Sequence, residues 1–216
     1  MKRIISFILL YSILTLSLIS CGDREYNEQE VISAAKILIS DSELLNEVYW
    51  GKGIPYTEDK NTSDGVYYEA LYAYHSKMGF NTVSELRELT AKTFSDDYCI
   101  QIYSSVLANV QDGDKAILLA RYYQKFSAAD LNSPESIMVN TTWKAILTDE
   151  VEYDLESIKV LGSEGDKVII TVDATVKRTG YDPQIRTIEV DLIEEDDGWR
   201  LDSPTSLKYD TTNTNK

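Results

Sequence analysis

The second half of the chain alternates apolar and polar residues in long runs separated by turn-rich segments. In one run every second residue is apolar: Val168, Ile170, Val172, Ala174 and Val176. A period of two is typical of a strand with one buried and one exposed face. The pattern predicts strands at 153–161, 167–177 and 185–194, and a short fourth strand at 199–202. Since short turns join these runs, we predict an antiparallel meander with one buried face.

Apolar residues in the first half recur every three or four positions, which is the spacing of a helix that buries one face. Asn27 and Glu30 form a capping-box pattern that predicts the start of a first helix. The buried face of that helix is expected to carry Val31, Ala35, Leu38 and Ile39. We expect Asp41 or Ser42 to cap a second helix that ends at Gly51. The apolar residues of the second helix are Leu44, Leu45, Val48 and Tyr49.

Two further helices have recognisable N-terminal caps. Thr82 and Glu85 form another capping box, and the helix after Thr82 is predicted to end near Phe94. Its apolar face carries Val83, Leu86 and Leu89. Ser95 is followed by two aspartates, whose charges favour the first turn of a helix. The residues of this last helix that we expect to point inward are Ile100, Tyr103, Val106, Leu107 and Val110.

The tyrosine-rich segment 66–74 fits two patterns. Its aromatic and β-branched content favours a strand, whose one face would carry Tyr68, Tyr72 and Tyr74. A helical stripe is the alternative, formed by Tyr67, Leu71, Tyr74 and Met78. We predict a strand here, another at 116–126, and the start of a strand at 143–147.

These elements together predict an α+β fold, in which N-terminal helices with a short strand pair precede a C-terminal antiparallel β-meander. We assign residues 31–132 to the mainly helical half and 133–207 to the sheet half. The polar tail 208–216 has little to bury and is expected to fray.

The first 21 residues have the pattern of a lipoprotein signal. Lys2 and Arg3 precede an apolar run from Ile4 to Ile19, and a small residue then precedes Cys21. This order predicts a signal peptide at 1–20, lipidation of Cys21 and a polar tether at 21–30. An apolar segment of this length also suits a membrane span, but the terminal cysteine favours lipidation. The expected location is therefore extracytoplasmic, anchored to the membrane by lipid.

Acidic residues dominate the composition. The chain has 36 acidic and 21 basic residues and a net charge of −15. Removal of the signal peptide would take away Lys2 and Arg3 and make the charge more negative. Such a field repels nucleic acid, so we expect no nucleic-acid partner. Apart from Cys21 the chain has only Cys99, so no disulfide is expected within the mature chain.

Two residue pairs suggest nucleophilic chemistry, and each has a simpler interpretation. Ser33 and Lys36 have the Ser-x-x-Lys spacing of penicillin-recognising enzymes, but a Ser-Asp-Asn element is missing and the nearest Lys-Thr-Gly has an inserted arginine. Cys99 and His75 are the only candidates for a Cys–His dyad. Cys99 lies on an apolar helical face, where a cysteine usually acts as a small hydrophobic residue.

Metal and cofactor sites are not expected. His75 is the only histidine, which excludes a zinc site built on several imidazoles. Asp112, Asp114 and the acidic run 194–197 offer oxygen ligands for calcium, yet neither group has the spacing of an EF-hand loop. We interpret both as solvated turns.

Five scattered elements resemble a known family. They are Val-Tyr-Trp-Gly-Lys-Gly-Ile-Pro-Tyr at 48–56, Gly-Val-Tyr-Tyr at 65–68, Thr-Val-Ser-Glu-Leu at 82–86, Phe-Ser-Asp-Asp-Tyr at 94–98 and Asp-Gly-Trp-Arg-Leu-Asp-Ser-Pro-Thr at 197–205. Together they resemble the IseA-type inhibitors of DL-endopeptidases. The resemblance implies a non-enzymatic protein that blocks the cleft of a cell-wall hydrolase of the NlpC/P60 class. A lipid anchor departs from the simplest secreted form of that family.

The surface that would contact the hydrolase is placed on the loop after Tyr56 and on the tyrosines that follow. The partner-binding residues predicted on this basis are Tyr56, Glu58, Asp59, Asp64, Tyr67 and Tyr68. Tyrosine is enriched at interface hot spots. The alternative interpretation of the tyrosine cluster is that half of it belongs to the core and half to the rim.

Two other functions are kept as alternatives. A ligand-binding envelope lipoprotein with an NTF2-like or cystatin-like lobe from Trp143 onward would show a deep apolar cavity between helix and sheet. An envelope hydrolase would use Ser33 with Lys36, or Cys99 with His75.

Overall fold

The computed structural model describes residues 26–59, 63, 65–107, 120–146 and 149–206. The predicted signal peptide, Cys21, Asp64, the turn at 111–114 and the tail from 208 lie outside these ranges. No helix within the described ranges is both long enough and apolar enough to cross a membrane.

The described elements follow one another as helices, a small sheet and a larger sheet. The helices are α1 (Glu28–Tyr49), the one-turn α2 (Tyr72–His75), α3 (Val83–Thr93) and α4 (Asp96–Val106). The strands are β1 (Tyr67–Glu69), β2 (Tyr122–Phe126), β3 (Pro134–Asn140), β4 (Glu150–Glu164), β5 (Lys167–Lys177), β6 (Gln184–Glu195) and β7 (Gly198–Leu201). The α+β class is confirmed.

Helix α1 is continuous over 22 residues, so the prediction of two helices with a break at Asp41 or Ser42 is wrong. The Ser42 hydroxyl donates to the Ile39 carbonyl and lies within the helix rather than at its start. Asn27 caps α1 as predicted, accepting hydrogen bonds from the first-turn amides of Gln29 and Glu30. The helix therefore begins at Glu28, inside the segment assigned to the tether.

The caps of α3 and α4 are confirmed. Thr82 accepts a 3.0 Å hydrogen bond from the Glu85 amide, and Ser95 accepts one of 3.2 Å from the Tyr98 amide. Of the residues predicted to point inward from α4, Val106 and Leu107 are buried as predicted, and Val110 lies outside the described residues. The buried residues of the helix are Cys99, Ile102 and Val106, whereas Ile100 is 64% exposed.

The smaller sheet has the strand order β1-β3-β2, and both pairings are antiparallel. The strand prediction for 66–74 is confirmed for Tyr67–Glu69 and wrong for 72–74, where the chain forms α2. Strand β3 was not predicted. It is the central strand, and its consecutive buried residues Ile137, Met138 and Val139 lack the alternation of a half-exposed strand. Residues 143–146 do not form a strand.

The larger sheet is the predicted meander, with the order β4-β5-β6-β7. Strand β5 has the predicted bounds, and Val168, Ile170 and Val172 alternate with less buried residues. Helix α1 packs against β4 and β7 at the two edges of this sheet. Buried residues of α1, α3, α4 and both sheets form one hydrophobic cluster. The helical and sheet halves therefore share one core.

A buried polar contact joins the middle of α1 to the segment after β7. The Thr205 hydroxyl donates to Ser42 Oγ over 2.7 Å and accepts a 2.9 Å hydrogen bond from Asn46 Nδ2. The Tyr153 hydroxyl donates to the Thr205 carbonyl. These contacts fix residues far apart in the chain against each other.

Candidate functional site

The C-terminal end of α1 is held by the side chains of Arg121, which directly precedes β2, and Tyr122, the first residue of β2. A helix leaves its last carbonyls without helical partners. Here the Tyr49 carbonyl accepts a 2.8 Å hydrogen bond from Arg121 Nη1, and Arg121 Nη2 donates to the Gly51 carbonyl over 2.8 Å. The Tyr122 hydroxyl donates to the Val48 carbonyl over 2.7 Å. Burial raises the pKa of Tyr122 to about 12, so this hydroxyl keeps its proton at neutral pH.

Gly53 lets the chain pass close to these two side chains. Its φ is +80°, a left-handed conformation that favours glycine. A Cβ at Gly53 would lie 2.5 Å from the Tyr122 hydroxyl and 2.8 Å from Arg121 Cζ. The Gly-x-Gly element at 51–53 therefore ends α1 and turns the chain towards the loop that carries Tyr56.

This loop is fastened to the end of β1. The Thr57 amide donates to the Glu69 carbonyl over 2.9 Å, and the Leu71 amide donates to the Pro55 carbonyl over 2.8 Å. Tyr56 forms an isolated antiparallel bridge with Ala70. These backbone hydrogen bonds fix the two segments relative to each other and so fix the positions from which their side chains project.

These two segments and the helix α2 that follows them carry a group of apolar side chains with four tyrosines. We call it the tyrosine surface and define it as Tyr56, Tyr68, Leu71, Tyr72 and Tyr74. Tyr56, Leu71, Tyr72 and Tyr74 are exposed, Tyr72 by 67%. The rings of Tyr56 and the half-buried Tyr68 lie 5.8 Å apart between centroids. Aromatic side chains exposed on a fixed backbone suit a contact with another protein.

Tyr67, which we predicted to contact a partner, is a core residue. It is 2% exposed, and its hydroxyl donates to the Ala120 carbonyl over 2.6 Å. Its ring packs edge-on against Tyr123 at 4.9 Å. Burial raises the pKa of this phenol. The tyrosine cluster is thus divided between core and rim, which was the alternative interpretation.

The predicted acidic residues of the loop have different outcomes. Glu58 and Asp59 are exposed beside Tyr56, and the Asp59 amide donates to the Thr57 hydroxyl over 3.2 Å. Asp64 lies outside the described residues. Leu71 was missed by sequence reasoning, although its apolar side chain directly precedes Tyr72.

Ser33 and Lys36 make separate contacts. The Ser33 hydroxyl donates to the Gln29 carbonyl in the preceding turn of α1 over 2.7 Å. Lys36 Nζ lies 2.6 Å from a Glu156 carboxylate oxygen on β4. The lysine is therefore paired with a carboxylate on β4, and the serine hydroxyl is hydrogen-bonded within its own helix.

Cys99 and His75 are likewise occupied by different neighbours. The thiol donates to the Phe94 carbonyl, and burial raises its pKa, whereas a nucleophilic cysteine needs a lowered one. His75 Nδ1 is 3.0 Å from the Phe80 carbonyl oxygen, and its ring stacks on Phe80. The structure thus places Cys99 as a small core residue.

The acidic run 194–197 is largely engaged by neighbouring groups. Asp197 accepts a 2.5 Å hydrogen bond from Arg200 Nη2, and Glu195 accepts one of 3.1 Å from the Asp96 amide at the start of α4. In the part of the chain that the structure describes, no three His, Cys, Asp or Glu side chains are grouped to hold a metal ion.

A charged cleft opens where the end of α1 meets the start of β4 and the end of β5. Its volume is about 670 Å³, and its charged lining residues are Glu47, Lys52, Asp149, Glu150, Lys177 and Arg178. Sequence reasoning did not find this cleft, because its walls come from three distant parts of the chain.

The fold defines an α+β protein in which α1 packs on a four-stranded antiparallel meander. Comparisons with protein-family models, with curated proteins and with solved structures found no match to this chain.

Proposed function

We propose that this chain is a lipid-anchored extracytoplasmic protein that binds a peptidoglycan DL-endopeptidase of the NlpC/P60 class and inhibits it by covering its cleft. The observation that carries the proposal is the tyrosine surface, whose residues lie on the Tyr56 loop, on β1 and Leu71, and on helix α2. The class of partner comes from the resemblance of the sequence elements to IseA-type inhibitors.

The physical argument begins with the side chains. Tyrosine offers a large contact area and loses little side-chain entropy on binding, so exposed tyrosines are effective anchors. A surface that is already ordered in the free protein also lowers the entropic cost of association. Inhibition of this kind needs no chemistry from the inhibitor.

Charge provides the second part of the argument. The chain carries a net charge of −15, and Glu58 and Asp59 lie exposed next to Tyr56. Complementary charge raises association rates and disfavours unsuitable partners. We therefore expect the target hydrolase to present a cationic rim around its cleft.

The test is inhibition of purified NlpC/P60-class hydrolases, followed as release of muropeptides from peptidoglycan. We expect the double variant Tyr72→Ser, Tyr74→Ser to raise the inhibitory concentration about a hundredfold, as for the loss of two interface anchors. The matched control is Ile185→Ser on β6, a side chain that is 78% exposed away from the tyrosine surface. Absence of inhibition by the unaltered protein in large excess would contradict the proposal.

Ligand binding by the sheet half is a second candidate function, favoured by the cleft of about 670 Å³ at the end of α1. That volume lies within the range of small-molecule sites. Its lining is charged, unlike the deep apolar cavity expected of an NTF2-like or cystatin-like lobe. Native mass spectrometry of the protein purified from its membrane would reveal a retained ligand.

A further inference from the structure

A smaller compartment adjoins the charged cleft. This compartment has a volume of about 230 Å³ and shares Glu47, Asp149 and Glu150 with the larger one. Glu43 and Tyr153 also line it, where α1 lies beside β4. The two compartments thus adjoin along the last two turns of α1.

The two compartments differ in charge. Four carboxylates line the smaller one, from Glu43, Glu47, Asp149 and Glu150, and its described lining contains no lysine or arginine. The larger compartment adds cations from Lys52, Lys177 and Arg178. The site is therefore negative at one end and mixed at the other.

The acidic end has an uncompensated carboxylate. Glu43 accepts a hydrogen bond from the Tyr153 amide, and burial followed by the nearby Glu152 charge raises the pKa of Glu43. Among the described residues Glu43 forms no salt bridge. Since Glu150 lies 3.7 Å from Lys177 and Asp149 lies 3.8 Å from Arg178, Glu43 is the lining carboxylate that a bound ammonium group would neutralise.

The mixed end has one lysine that is paired and one that forms no salt bridge with a described residue. Lys177 lies 3.7 Å from Glu150 and 2.7 Å from Glu152, so this lysine is already paired. Lys52 lines the same compartment and forms no salt bridge within the described ranges. Its ammonium group is the one that a ligand carboxylate would engage.

We infer that this cleft binds a small dipolar ligand, with an ammonium group in the compartment of Glu43 and a carboxylate against Lys52. The ligand class is an amino acid or short peptide whose two charged ends are separated by a flexible chain. A ligand with only one of the two charges would satisfy only one end of the site. The tyrosine surface contributes none of the lining residues, so binding in the cleft is independent of inhibition.

The test uses 6-aminohexanoate as the dipolar probe and the full-length protein in detergent. Pentylamine, which has only the ammonium group, and hexanoate, which has only the carboxylate, are the matched probes. Isothermal titration calorimetry should show saturable binding of 6-aminohexanoate that is about tenfold tighter than binding of either control. Equal binding of pentylamine would overturn the inference, because it would show general attraction of cations to an acidic protein. Absence of saturable 6-aminohexanoate binding would also overturn it.

Two variants test the orientation of the ligand. Glu43→Gln keeps an acceptor for the Tyr153 amide and should weaken 6-aminohexanoate binding about tenfold, and Lys52→Gln should do the same. Glu88→Gln and Lys92→Gln, which alter exposed residues of α3, are the controls and should leave binding unchanged. Unchanged binding in both cleft variants would contradict the inference, whatever the outcome of the hydrolase assay.

Discussion

Arg121 Nη1 donates a 2.8 Å hydrogen bond to the carbonyl of Tyr49, the last residue of α1. The two residues are 72 positions apart in the chain, and both are buried. This contact joins the first helix to the small sheet and sets the direction in which the loop leaves towards Tyr56. The geometry of the tyrosine surface therefore depends on a buried arginine outside it.

Replacing Arg121 by Met should destabilise the protein strongly. The substitution leaves the Tyr49 and Gly51 carbonyls without their donors in a buried environment, which costs roughly 2–4 kcal/mol in the free energy of unfolding. Urea denaturation monitored by circular dichroism measures this change. Lys92→Met, on the exposed side of α3, is the control and should shift the midpoint little. A small effect of Arg121→Met would show that water replaces the guanidinium.

Gly53→Ala should cost more than the conformational penalty alone. Gly53 and Gly79 both have positive φ, at +80° and +90°. At Gly79 a Cβ would meet open space, whereas at Gly53 it would meet Arg121 and Tyr122. We expect Gly79→Ala to lower stability by about 1 kcal/mol and Gly53→Ala by about 2 kcal/mol more, because of overpacking. Equal losses in thermal or urea unfolding would contradict the close contact.

Asp202 should contribute stability that is lost in acid. Burial alone would raise its pKa, but hydrogen bonds from Lys167 and Ser95 hold the pKa below the ordinary value of 3.8. Lys167 Nζ lies 2.5 Å from a carboxylate oxygen of Asp202. Because the folded pKa is lower, this contribution is fully present above about pH 4 and declines as the pH falls through the folded pKa.

The check is the stability difference between the unaltered protein and Asp202→Asn, measured by urea denaturation between pH 3 and pH 7. That difference should be constant near neutrality and shrink below about pH 4. Asp197→Asn, which alters an exposed partner of Arg200, separates this effect from general acid destabilisation. A difference that grows in acid would contradict the assigned pKa direction.

Cys99 should react slowly with iodoacetamide in the folded protein. Burial shields the thiol and raises its pKa, which lowers the thiolate fraction at neutral pH. Ser104→Cys places a cysteine on the exposed side of the same helix and should label on the order of a hundredfold faster. Mass spectrometry of labelled peptides compares the two sites. Similar rates would revive the hypothesis of a reactive thiol.

We expect Cys21→Ala to abolish lipidation. Labelled palmitate should enter the unaltered protein and not the variant, and the variant should leave the membrane fraction. Cys99→Ala is the matched control and should retain both properties. A variant that stays membrane-bound would favour the alternative that the apolar N-terminal segment spans the membrane.

Local sequence patterns were sufficient to predict an element that buries one face and exposes the other. Strand β5 alternates without interruption, and its predicted bounds are those observed. The caps at Asn27, Thr82 and Ser95 were readable because side chain and backbone interact within four residues. The polar pair Asp41 and Ser42 led to a wrong prediction of a helix start. Ser42 lies within α1 and accepts a hydrogen bond from Thr205, which is distant in the chain.

The features that the sequence patterns did not predict depend on contacts between residues far apart in the chain. Tyr67 and Tyr72 are chemically identical in the sequence, but only Tyr67 has Ala120 and Asn140 as buried partners. Strand β3 buries consecutive residues, Ile137, Met138 and Val139, and so lacks the alternation that would have indicated a strand. The cleft pairs Glu47 with residues of β4 and β5, which no spacing rule connects.

The contact between Ser42 and Thr205 spans 163 positions of the chain, and this separation affects when the protein folds. Helix α1 is made early, but its packing partners β7 and Thr205 are made late. A nascent chain that contains α1 but lacks β7 and Thr205 has an incomplete core, so α1 cannot complete its packing. The topology therefore leaves the core incomplete until almost all of the chain has been synthesised.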